Sequence, residues 1–170
     1  MTIAGEWESF YVIVGSSAAA LTGLQFVVVA LSADTEGLST GSDVFATPTV
    51  VHFCAAFLIA AILSVPRQTP ASLAACLAAE GLAGIIYAII VMLRFGKEMH
   101  YKPVLEDRIW HIVFPSVAYV ALFTSGIATY QHEVGALYVV AAAALLLLLI
   151  GIHNAWDAAV YIAIRKQRER

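Results

Sequence analysis

Charge is scarce in this chain, and its scarcity excludes most soluble functions. Asp, Glu, Lys and Arg make up 12% of 170 residues, where soluble domains carry about 25%. Polar sequence is short too. The longest stretches outside apolar runs, Ser32–Pro48 and Gly96–Arg108, are too small to fold alone. No basic groove or nucleic-acid motif is present, so nucleic acid is not an expected partner. Cysteine is limited to Cys54 and Cys76; both lie in apolar segments and read as small buried hydrophobes, not as a disulfide. The P-loop, the dinucleotide fingerprint and the G-x-S-x-G elbow are absent, and Ser125 and His132 are too far apart to pair as nucleophile and base. No enzyme activity is expected on these grounds. Inverted repeats and paired broken helices, which mark many transporter folds, are missing as well.

What the chain has instead is apolar length. Hydrophobic residues make up 61% of it. Five stretches, 10–31, 49–65, 72–95, 109–130 and 136–164, are each read as long enough to cross a hydrocarbon core about 30 Å thick, which takes ~20 apolar residues. The expectation is an all-α, polytopic membrane bundle of about five transmembrane helices forming a single domain over residues 1–170. Only Glu6 and Glu8 precede the first run, with no basic n-region, so that run reads as a retained helix and not a cleaved signal.

Basic residues set the orientation. With the N-terminus outside, one side holds Arg94, Lys97, Lys102, Arg108, Arg165, Lys166, Arg168 and Arg170, and the other only Arg67. The arrangement is therefore read as N-out, C-in. Trp7, Phe10 and Tyr11, then Trp110 and Tyr130, supply interfacial aromatics.

Gly15, Ala19 and Gly23 recur at intervals of four and read as a helix-packing stripe, because close backbone approach drives association where lipid offers no hydrophobic force. Ala75, Ala79 and Ala83, with Gly84 and Ala88, repeat the pattern. Pro48 and Pro66 read as the bounds of a short second helix, and Pro115 as a tolerated kink.

Polar groups at membrane depth are costly and by default mark function. Glu80 lies near mid-depth, and Gln25 and Thr22 lie in the first helix. In copies arranged around a symmetry axis they would form a polar ring, as cation pores use. The plainer reading is a neutral carboxyl bonded across a helix contact. His52, His111 and His153 approach one side of the bilayer, and His153 shares a face with Asp157 at i, i+4. Imidazoles near a carboxylate suit a divalent metal, a haem or a proton relay. Against this, Glu-x-x-His and C-x-x-C-H are absent, so histidines that anchor at the interface or bond a neighbouring helix, with no cofactor, are the expectation, and a haem or divalent metal is the alternative.

The run Trp7-Glu8-Ser9-Phe10, followed by Gly15-Ser16-Ser17-Ala18-Ala19-Ala20-Leu21-Thr22-Gly23-Leu24-Gln25-Phe26-Val27, resembles small uncharacterised bacterial integral membrane proteins with a G-x-x-A-A-A-L-T-G-L-x-F-V first helix. The resemblance covers mainly this helix and implies a multi-pass protein of a bacterial inner membrane, with no activity to carry over. The leading expectation is a homo-oligomeric, channel-like protein in the lipid bilayer for ions or small solutes. The alternatives are a histidine-ligated metal or haem protein and an accessory structural subunit of a larger membrane complex.

Overall fold

A computed structural model describes residues 3–33, 42–98, 105–131 and 134–168, and their regular structure is entirely helical. The elements are α1 (Ile3–Ala33), α2 (Ser42–Leu63), α3 (Pro70–Glu98), a short α4 (Leu105–Arg108), one π-helical turn (Ile109–Val113), α5 (Phe114–Tyr130) and α6 (Val134–Arg168). Four segments are long and apolar enough to cross a membrane: Trp7–Ala30, Pro70–Leu93, Ile109–Tyr130 and Gly135–Val160. The apolar part of α2, Thr47–Leu63, is shorter, near the ~17-residue minimum for one crossing. Large apolar side chains cover the outside, among them Ile13, Leu24, Phe26, Leu93 and Leu149. Such a surface belongs in lipid, and the chain is an integral membrane protein.

Each helix buries a seam spaced by three and four residues, the period that keeps side chains on one face. On α1 it comprises Tyr11, Val14, Ala18 and Gln25; on α3 it comprises Ala74, Leu77, Gly81, Gly84 and Ala88. The stripes predicted from four-residue spacing match these seams only in part: Gly15 on α1 and Gly84 and Ala88 on α3 are buried. Of the first, Gly15 packs against Ala60 of α2, while Ala19 and Gly23 are exposed and a methyl group on Gly23 would meet nothing within 4 Å. Ala75, Ala79 and Ala83 are exposed as well. A strict four-residue step rotates about 40° per interval around a helix, so such a stripe drifts off any single contact.

Two tight antiparallel pairs result, α1 with α2 and α3 with α5, and α6 packs against α1, α2 and α5. The α3–α5 pair is the closest. A Cβ on Gly81 would lie 2.5 Å from the Phe123 backbone nitrogen, one on Gly126 would lie 2.7 Å from that of Ala78, and Gly84 lies under the Tyr119 ring. Glycine here is a steric requirement, since the backbones themselves touch. Gly151 of α6 likewise receives the Phe53 ring of α2. At one end of the bundle Trp7 meets Tyr138 edge-on, with centroids 4.8 Å apart. The opposite end, where α2 starts and α3 finishes, is called the lower end below.

Several boundaries differ from the sequence expectation. Pro48 does not begin α2 but lies inside it. It withholds one amide from Val44, a loss that membrane helices tolerate where neighbours re-satisfy the backbone. Ahead of Pro115 the helix widens into the π turn, whose Ile109 carbonyl is bonded by the Phe114 amide. α3 starts with a reciprocal cap: Thr69 N–H donates to Ser72 Oγ and Ser72 N–H donates to Thr69 Oγ1, both at 3.1 Å. Pro70 follows at the first helical position, where its missing amide costs nothing. Cys54 and Cys76 are free and exposed, contrary to the buried reading, because the seams of α2 and α3 run along the other side.

Candidate functional site

Between α2, α3 and α5 the bundle encloses a polar cluster in an otherwise apolar interior. His52 stands one turn inside Pro48 on the buried seam of α2, and Tyr119 lies midway along the Ile109–Tyr130 span. His52 Nδ1 and Tyr119 Oη are 3.0 Å apart, and the two residues are 2% and 1% exposed. The donor depends on the imidazole tautomer, as either group can give the proton. Tyr87 of α3 approaches His52 edge-on, with ring centroids 6.2 Å apart. Gly84 makes this arrangement possible, because any side chain there would occupy the space of the Tyr119 ring.

Glu80 belongs to the same cluster. It lies two turns from Tyr87 along α3, on the same helical face, and within electrostatic range of Tyr119. Both carboxyl oxygens are buried and have no hydrogen-bond partner among the described residues. Both oxygens of Glu80 thus lie inside the packed helices of the single chain. His111, in the π turn, lies within electrostatic range of His52. Single π turns interrupting a helix recur at functional sites.

The remaining predicted residues occupy other places. His153 stacks on Trp110 with ring centroids 3.9 Å apart and planes 14° from parallel. Its Nε2 is 3.1 Å from Asp157 Oδ2, the predicted i, i+4 pair. His52, His111 and His153 therefore do not converge on one point. Among the described residues no three His, Cys, Asp or Glu side chains could hold a metal ion together. Thr22 turns its hydroxyl onto its own helix, donating to the Ala18 carbonyl at 2.8 Å. Gln25 is buried at the lower end of the α1 seam. Ser125 and Thr129, further along α5, also donate back to their own helix, to Ala121 and Ser125 at 2.6 and 2.8 Å.

Sequence reasoning missed Tyr119 and Tyr87. Tyrosine in an apolar helix looks like another aromatic, and only the α3–α5 register brings both to His52. Chemically, the cluster can carry a proton. It offers an imidazole, a phenol and a carboxyl in sequence from the lower half toward mid-depth, in a bundle whose core also holds the fully buried Phe53, Leu122, Leu147 and Ile150. No family model matches this chain, and no curated protein or solved structure matches it significantly.

Proposed function

We propose that the protein transfers protons through the interior of each subunit, along a file containing Glu80, Tyr119 and His52 with Tyr87 and His111 beside it. The observation that carries this reading is the buried His52–Tyr119 hydrogen bond, which joins two helices at membrane depth. Ionisable chains of this composition serve as proton relays in membrane proteins. A proton reaching Tyr119 Oη from the Glu80 side displaces the hydroxyl proton onto His52 Nδ1, and His52 releases its Nε2 proton toward the lower end. One proton enters and one leaves. Rotation of the hydroxyl and exchange of the imidazole tautomer restore the start. Larger ions would need an open lumen, whereas hydrogen-bonded transfer operates inside a packed core. Permeation thus belongs within the subunit and not on an axis between copies.

On this reading the chain is a multi-pass protein of a bacterial inner membrane, N-terminus outside. Homo-oligomers would form through the outward small face of α1, where Ala19, Ala20 and Gly23 are exposed. The test is proton flux into liposomes containing purified protein, driven by a potassium diffusion potential and followed with an entrapped pH dye. Flux above that of empty vesicles is expected, falling to the vesicle level in Tyr119→Phe and Glu80→Gln. Wild-type liposomes no leakier than empty ones, or full flux in both variants, would end this proposal.

A further inference from the structure

Asn154 of α6 is a buried polar side chain whose bonding the packing leaves incomplete. It is 3% exposed, yet neither Oδ1 nor Nδ2 has a hydrogen-bond partner among the described residues. An unmet amide inside a membrane bundle is costly. Its surroundings hold it in place: one turn above, Gly151 lies against the Phe53 ring, and the adjacent His153 is stacked on Trp110.

Register brings further polar groups to this depth. Gly15 opposite Ala60 fixes α1 against α2, and Phe53 opposite Gly151 fixes α2 against α6. Both pairs run antiparallel, so Gln25 and Asn154 each come level with Val50, beside Thr49. Gln25 and Thr49 are buried like Asn154, at 3% and 0% exposure. Three helices in mutual contact therefore place two amides and a hydroxyl at one level, about one turn below His52.

The pattern of unmet atoms selects the ligand. Oδ1 requires a donor and Nδ2 an acceptor. A cation would serve only Oδ1 and an anion only Nδ2, whereas water serves both. Buried water characteristically occupies such positions, bonded to polar groups that the protein leaves unpaired. We infer that Asn154 binds ordered water at the Gln25–Thr49 level, and that this water is the lower-end outlet of the His52 file. The outlet role rests on the proton-transfer reading; the occupancy does not.

Asn154 is the only asparagine in the chain, so labelling with ¹⁵N-asparagine gives a single side-chain amide signal. Water-edited solid-state NMR on the full-length protein in lipid reads its contact with water directly. Magnetisation from water is expected to reach Nδ2 as early as it reaches surface amides. A signal fed only from lipid and protein protons would overturn the water site. In the flux assay, Asn154→Leu, which nearly keeps the volume and removes both polar atoms, is expected to lower proton flux toward the empty-vesicle level while Asn154→Ser retains part of it. Unchanged flux in the leucine variant, with water contact intact in the wild type, would overturn the outlet role alone. If the wild type carries no protons, the NMR result still decides occupancy.

Discussion

Replacing Gly81 by alanine tests the closest approach of a neighbouring backbone to any described glycine. The added Cβ would lie 2.5 Å from the Phe123 nitrogen, 2.7 Å from its Cα and 2.9 Å from its Cβ. Two of these atoms are backbone, so no rotamer change relieves the overlap. Restoring an ordinary 3.4 Å contact to the nitrogen requires α3 and α5 to part by 3.4 − 2.5 = 0.9 Å. A gap of about that size forfeits a quarter to a half of each contact's dispersion energy along the seam. Overpacking of this kind costs about 3 kcal/mol at its upper range. Alanine returns up to ~1 kcal/mol through helix propensity. The net loss is about 2 kcal/mol, or roughly thirtyfold in the unfolding equilibrium. Reversible unfolding in mixed micelles, titrated with SDS and followed by tryptophan fluorescence, measures it. Gly23→Ala is the control: nothing lies within 4 Å of the new methyl, so the helix-propensity gain stands unopposed and the variant should be up to ~1 kcal/mol more stable than wild type. Equal stability of the two variants would refute the packing argument, and a larger loss at Gly23 would move the tight seam to the outer face of α1.

Two further outcomes follow from the same geometry. Gly151→Ala collides with the ring of Phe53, which is fully buried and has nowhere to turn; it should destabilise by about 1–3 kcal/mol. Phe53→Leu in the same chain should recover part of that loss, giving a non-additive double-mutant cycle in the same unfolding assay. Thr69→Ala removes one half of the cap that starts α3 and should cost about 1 kcal/mol, with Thr69→Ser restoring most of it.

The helices were legible because a bilayer imposes length and apolarity on each crossing; four of the five apolar runs meet both demands, and the α2 run is shorter. Their faces were not. Small residues occur on both sides of α1 and α3, and identity alone does not distinguish Gly81, pressed against a neighbouring backbone, from Gly23, which meets nothing. Pro48 was misleading because proline's missing amide and ring clash, which usually end a helix, are tolerated within membrane helices where neighbouring groups re-satisfy the freed carbonyl. The cap at Thr69 and Ser72 was not read from the sequence; the structure supplies it. Among the site residues, Glu80 and His52 stood out as polar letters in apolar text. Tyr119 did not, since its role depends on a glycine in another helix. The histidines that topology placed near one side separate by face: His52 turns to Tyr119, and His153 turns to Trp110.

That dependence makes Gly84 the sharpest probe of the proposed proton path. The Tyr119 ring lies on the Gly84 backbone, and the same ring carries the hydroxyl that reaches His52 Nδ1. A methyl group at Gly84 removes no polar atom, yet it must push the ring away from α3 and so lengthen or break the bond to His52. Gly84→Ala should therefore lose proton flux much as Tyr119→Phe does, although only the second deletes a proton carrier. Combining them separates cause from coincidence. If Gly84 acts through the hydroxyl, the double variant conducts no worse than Tyr119→Phe alone, because the bond is already gone. Full flux in a folded Gly84→Ala protein would mean that the Tyr119–His52 contact is structural and that protons, if they cross, take another route.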